Sequence, residues 1–243
     1  MSRLGAIVAA VLLPLLLLGC EPSGDNPQKP SADNRATAPI AGKSITEPAI
    51  PLGTGFDFYV LSLSWSPSYC EAEGEDANPQ QCKAARPYAF IVHGLWPQFE
   101  RGYPEDCPTD TPSVPNELVR TLYDLMPAAG LIRHEWRTHG SCSGLSQEQY
   151  FGVLRAAREH VRIPDQYHRL DDYLTVRPRD VEAAFLKANA SLPANGIAVS
   201  CDKRYLSEVR VCMTKDLAFR PCPEIDRREC RLDKAVMPPT RGG

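Results

Sequence analysis

Surplus positive charge is missing from this sequence: 27 Lys and Arg stand against 30 Asp and Glu, a net charge of −3, so no broad basic face is offered for gripping duplex nucleic acid. Any nucleic-acid chemistry has to come from a local site. No Cys-x-x-Cys pair occurs, which removes the usual signature of a zinc ribbon or a redox dithiol. The apolar run over residues 4–18 falls short of the roughly 20 residues that cross a bilayer. With 43% hydrophobic and 23% charged residues, neither a disordered chain nor a multispan membrane protein fits the whole. The 243 residues suffice for one or two domains with a full core.

Cysteine, by contrast, is plentiful, with nine residues. Cys20 sits apart, at the end of the apolar run that follows Arg3, in the sequence Leu17-Leu18-Gly19-Cys20. The run reads as a secretory signal over residues 1–19. An Ala-x-Ala cleavage pattern is absent, and the ending resembles the bacterial lipobox, which implies lipidation of Cys20. By the same resemblance Glu21 directs the product to the periplasmic side of the outer membrane, and an unlipidated chain would be periplasmic or extracellular. Export places the other eight cysteines in an oxidising compartment, where four disulfides can form in 105 conceivable pairings.

Residues 20–52 are rich in Pro, Ser, Asn, Ala and Thr and poor in large apolar side chains, so they predict a disordered, lipid-anchored tether. A folded domain over residues 53–235 follows, then a C-terminal tail over 236–243. "FDFYVLSLSW" alternates in the manner of a strand, with Phe56, Phe58, Val60 or their neighbours on one face. "PYAFIVHGLW" is a second strand. Residues 66–86, with Pro67, Gly74 and Pro79, read as a loop. Leu118, Leu122 and Leu125 share a stripe of a helix over 116–126, stopped by Pro127. Ser146 and Gln149 form a capping box ahead of a helix running through Val161, with Leu145 placed to staple onto Tyr150. A further helix spans 181–188, and "GIAVSC" and "YLSEVRVCMT" read as a late strand pair. The pattern predicts an α+β domain with a central, largely antiparallel sheet and flanking helices.

Histidine is scarce, five in all, yet three fall in two aromatic, glycine-bearing segments: "FIVHGLWPQ" with His93, and "HEWRTHGSC" with His134 and His139. On a helix at about 100° per residue, His134, Thr138, Glu135 and His139 share one polar arc of about 140°, Trp136 lies beyond it and Arg137 flanks the His134 side. A zincin helix spaces its histidines four apart around a glutamate base. The spacing of five here disfavours zinc, and no metal or other cofactor is expected. His160 and His168 lie outside both segments and read as surface residues, while Trp65 and Trp136 read as core.

The two segments resemble the active-site segments of the ribonuclease T2 family, endoribonucleases with little base preference. "SLSWSPSYC" resembles that family's first strand and first cysteine, so the likeness covers roughly residues 56–230. It implies a metal-independent endoribonuclease that cleaves single-stranded RNA by transesterification through a 2′,3′-cyclic phosphate. The 2′-OH must lose a proton and the departing 5′-oxygen must gain one, and imidazole serves both tasks near its unperturbed pKa of about 6.5. The resemblance assigns His139 to the first transfer and His93 to the second, with Glu135 and His134 supporting the phosphate. Trp96 is implied as a stacking platform for a base and Gln98 as a base-edge contact. It also implies the pairs Cys70–Cys82, Cys107–Cys142, Cys201–Cys230 and Cys212–Cys222. The family usually carries Lys where Thr138 stands here; a hydroxyl brings no charge, and Arg137 is the neighbouring cation available to compensate. The expected partners are single-stranded RNA and, through Cys20, a membrane, with no protein partner and a monomeric chain. The alternative is a catalytically weak or inactive member acting as an RNA-binding or envelope protein, favoured only by Thr138.

Overall fold

The structure is a computed structural model that describes residues 49–83 and 85–240. The expected signal, Cys20, the tether up to residue 48 and the last three residues lie outside the described residues.

Four strands make the central sheet in the order β2-β1-β5-β4, every neighbouring pair antiparallel: β1 Phe58–Trp65, β2 Phe90–Gln98, β4 Ile197–Cys201 and β5 Leu206–Met213. A separate two-stranded ribbon joins β3 Leu174–Val176 to β6 Ala235–Met237. The α+β, largely antiparallel class expected from the sequence is the observed one.

Alternation along the strands sorts side chains onto two faces, and both are covered. Tyr59, Leu61, Leu63 and Trp65 of β1 join Val209, Val211 and Met213 of β5 in the main core, against helices α4 (Ala129–Thr138), α5 (Gln147–His160) and α6 (Pro178–Ala188). Phe58 and Val60 point the other way, into a smaller cluster with Ala198, Cys212, Cys222 and Ile225, while Phe56 packs in the main core. The three residues expected on one face are therefore divided, because Phe56 precedes the strand and escapes its alternation.

Helix α5 begins as expected, with the Ser146 hydroxyl accepting from Gln149 N and the Gln149 side chain accepting from Ser146 N. Residues 66–86 are more ordered than a loop: Pro67 occupies the first turn of α1 (Ser66–Glu73), where its missing N–H costs nothing, and Asn78 caps α2 (Pro79–Cys82). The helix expected over 116–126 is only α3 (Asn116–Arg120) followed by turns, which carry Leu122 and Met126 into the core. Helix α6 starts three residues before the expected 181, again with proline in its first turn. Residues 236–240, set apart as a tail on sequence, are integral: β6 pairs with β3, Pro238 O accepts from the indole of buried Trp65 at 3.0 Å, and Thr240 N donates to Leu170 O.

Four disulfides, Cys70–Cys82, Cys107–Cys142, Cys201–Cys230 and Cys212–Cys222, fasten the domain, the same pairs that the resemblance implies. A short helix, α7 (Pro223–Asp226), follows the last-named bridge.

Candidate active site

The site begins with an irregularity in β2. Its register against β1 runs Ser62↔Gly94 and then Leu63↔Val92, so His93 is the extra residue of a β-bulge. A bulge re-aims a side chain and breaks the two-residue alternation. Phe90, Val92 and Leu95 can thus all enter the main core, while Trp96 packs against the smaller cluster and His93 stands beside it, the two rings 5.4 Å apart and edge to face. The bulge is held by Val92 N donating to Leu125 O, and the next turn of the strand by buried Tyr150, whose hydroxyl donates to Leu95 O at 2.8 Å.

Helix α4 brings the second segment up to this bulge. Glu135 is 1% exposed and accepts from Trp96 Nε1 at 2.8 Å, with its other oxygen 3.5 Å from His93 Nε2. Only glycine fits at position 94, since a Cβ there would run into the Glu135 carboxylate and the Trp96 indole nitrogen. The helix ends at Thr138, and His139 occupies the C-cap with φ −119° and ψ −49°. Its ring lies 5.4 Å from that of Trp96, so the indole stands between the two histidines. The shared polar arc drawn on a helical wheel is not present: Glu135 and Trp136 are buried, His134 and Arg137 are exposed, and His139 leaves the helix. Arg137 is exposed and is not among the residues that line the cavity beside Thr138 and His139.

The loop between β2 and α3 is strapped to the end of α4 by Cys107–Cys142 and by Asp106 N donating to Thr138 O at 2.9 Å. Trp96, Gln98, Tyr103, Thr138, His139, Arg210 and neighbours line a cavity of about 310 Å³. A second hollow of about 190 Å³ opens on the other side, where His93 meets Ser64, Tyr69 and Gln81. Gln98 is buried and spends its amide N–H on Pro97 O.

Electrostatics divide the two imidazoles. Burial drives the His139 pKa down to about 4, helped by the charges of His134 and His93 and opposed by Asp106. Its Nδ1 is buried with no hydrogen-bond partner among the described residues. Burial works the same way on His93 but is outweighed: His93 Nδ1 donates to Glu208 Oε1, and the charges of Glu208 and Glu135 raise its pKa above the ordinary value. Burial pushes Glu135 up to about 7 against the pull of His93 and the Trp96 N–H. Glu208 resists its own burial and is held down to about 2 by His93 and Arg210. Among the described residues, no group of three His, Cys, Asp or Glu side chains is arranged to hold a metal ion.

The ribonuclease T2 family model matches residues 56–222, the stretch that carries both histidine segments. This chain belongs to the ribonuclease T2 family. It is an endoribonuclease of that family. A ribonuclease of Aeromonas hydrophila is 33% identical over 178 residues, 66% of this chain and 73% of its own length. A probable ribonuclease of Haemophilus influenzae is 29% identical over 174 residues, 65% of this chain and 62% of its own length. Among solved structures, an RNase-related protein from Calystegia sepium superposes with a TM-score of 0.62 at 19% identity, over 77% of this chain and all of that one, which shows the shared fold.

Sequence reasoning missed two residues that adjoin this site, Glu208 and Arg210. They alternate with core residues Val209 and Val211 on β5, opposite Ser64 and Ser62 of β1, and so face the side of the sheet that holds Trp96. Arg210 Nε and Nη2 donate to Glu208 Oε2 at 2.9 and 2.7 Å, and its guanidinium lies 5.2 Å over the Trp96 ring. The signal was present: opposite charges two apart in a strand, flanked by valines, mark a buried polar network. Tyr103, exposed beside Gln98 in the cavity, was also overlooked. His160 packs on Phe219 and His168 meets Ile163 O, both exposed and away from the site; Trp65 and Trp136 are core.

Proposed function

We propose that this chain cleaves single-stranded RNA without a metal, by transesterification through a 2′,3′-cyclic phosphate and with low base specificity. The supporting observation is the pair of imidazoles on either side of Trp96 with opposite proton affinities. In mildly acid solution His139 is neutral and takes the 2′ proton, while His93 is charged and gives one to the departing 5′-oxygen. Glu208 accepts a hydrogen bond from Nδ1–H, which leaves Nε2–H of His93 as the group that gives its proton to the substrate. A carboxylate would repel a phosphate, but burial keeps Glu135 protonated below about pH 7, so that it can donate to a phosphate oxygen. His134, exposed on α4, is assigned to supporting the phosphate. DNA lacks the nucleophile and is inert.

The two hollows suit the nucleosides on either side of the scissile phosphate. Trp96 and Tyr103 offer ring faces, which every base can stack on, and Gln98 has already used a donor on its own backbone, in keeping with weak base preference. We further assign the leader and Cys20 to export and lipid anchoring on the periplasmic side of the outer membrane; four disulfides suit such a compartment.

The test is cleavage of single-stranded RNA in EDTA at mildly acid pH, beside His139→Ala. Cyclic phosphate products are expected from the parent chain and at least a hundredfold less from the variant. Products that need a metal, or that persist unchanged in His139→Ala, would overturn the mechanism; tight RNA binding without cleavage would favour the silent RNA-binding alternative.

A further inference from the structure

We propose that Arg210 is the cation that receives the scissile phosphate, holding a non-bridging oxygen through the edge of the guanidinium that Glu208 does not occupy. The inference rests on the endoribonuclease mechanism above and supplies a catalytic residue for it. The position where the family usually has Lys is Thr138 here, and Arg137 lies outside the cavity. Two guanidinium groups line it, those of Arg210 and Arg228. Arg228 is half exposed and held by Glu224 at 2.8 Å. Arg210 is fixed far more closely, by two hydrogen bonds to one carboxylate oxygen and by the face of Trp96, the ring that separates the histidines.

Arginine carries five N–H donors in a planar fork. Nε and Nη2 are engaged with Glu208, and Nη1 makes no hydrogen bond to a described residue. Small neighbours, Ser62 on β1 and Ala198 on β4, flank Arg210 across the sheet and leave it room to lie toward Trp96. Charge completes the case. Glu208 stands between His93 and Arg210, so protonated His93 and Glu208 alone sum to zero, and Arg210 adds a positive charge to the group. A phosphodiester brings one negative charge and its pentavalent transition state two, which makes a preorganised cation worth more as the reaction proceeds. The family's customary ammonium is thereby replaced from the opposite wall of the cleft, by a strand instead of a helix.

The experiment compares the parent chain, Arg210→Gln, and Arg210→Gln combined with Thr138→Lys, with folding checked by thermal melting. On a dinucleotide substrate Arg210→Gln is expected to lower kcat by about 10²- to 10³-fold with KM changed far less. Its Kd for inorganic phosphate, read from the ring-proton shifts of His93 and His139, is expected to rise about tenfold or more. Thr138→Lys is expected to recover at least tenfold of the lost kcat, since it returns a cation to the same cavity. A kcat within threefold of the parent would overturn the proposal. So would a loss that Thr138→Lys leaves untouched while the alkaline limb of the pH profile moves, because Arg210 would then act only by positioning Glu208 and His93. A parent chain that does not cleave RNA sinks the ribonuclease mechanism instead, and the phosphate affinities still decide whether Arg210 is an anion-binding residue.

Discussion

Replacing Glu208 with Gln keeps an oxygen where His93 Nδ1 needs an acceptor and removes only the charge. In the native chain that charge, with a smaller share from Glu135, lifts the His93 pKa against the effect of burial. A hydrogen bond to a charged group contributes about 1.5–3 kcal/mol, and one pK unit corresponds to about 1.4 kcal/mol, so Glu208→Gln should lower the His93 pKa by about one to two units. His93 must be protonated to serve the leaving oxygen, so activity falls as pH rises through its pKa. The alkaline limb of kcat in Glu208→Gln is therefore displaced by about one to two units toward acid, a loss of roughly 10- to 100-fold on that limb and little on the plateau below it. The acid limb, set by His139 at about 4, stays in place. A pH series on a dinucleotide, with a titration of the His93 ring protons, measures both. Stability gives an independent sign. Glu208 is depressed to about 2 from an unfolded value near 4.3, so its charge stabilises the fold above about pH 4.3 and ceases to do so as pH falls through about 2. The melting difference between parent and variant should accordingly be widest near neutrality and shrink toward pH 2. A uniform loss of rate at every pH, with both limbs unmoved, would refute the assigned role of Glu208.

Gly94→Ala should lower stability by about 1–3 kcal/mol and reduce kcat, because the new methyl group displaces the Glu135 carboxylate and the Trp96 indole. Gly130→Ala, at an exposed position of α4 with open space around it, is the matched control and should raise the melting temperature. Replacing Cys107 and Cys142 together by Ser should cost about 4 kcal/mol on loop-closure grounds for a separation of 35 residues. It should also impair turnover more than loss of Cys70–Cys82, since only the former fastens the turn that carries His139. Calorimetry with a dinucleotide assay separates the two effects.

What the sequence disclosed was chiefly local. The capping box at Ser146 and Gln149, the late strand pair and the two histidine segments are short-range patterns, and each has its place in the fold. The bulge at His93 was not legible, because it exists only against the register of β1. Glu208 and Arg210 were passed over since nothing in β5 itself tells which face meets Trp96; the pairing of β5 with β1 decides it. Pro67 counts toward a loop in the sequence of residues 66–86, although a proline in a first turn also starts a helix, as it does for α1. The integration of residues 236–240 depends on Trp65, 173 residues away from Pro238, a separation beyond any local window.

The pairing of β1 with β5 governs when the cleft can exist at all. The first strand synthesised spends one of its two edges waiting for one of the last, and Glu208 and Arg210 arrive with that late partner. A polypeptide that ends before β5 has no orienting carboxylate for His93 and no partner for the second edge of β1. Chains cut short of β5 consequently carry both histidine segments yet cannot complete the cleft around them.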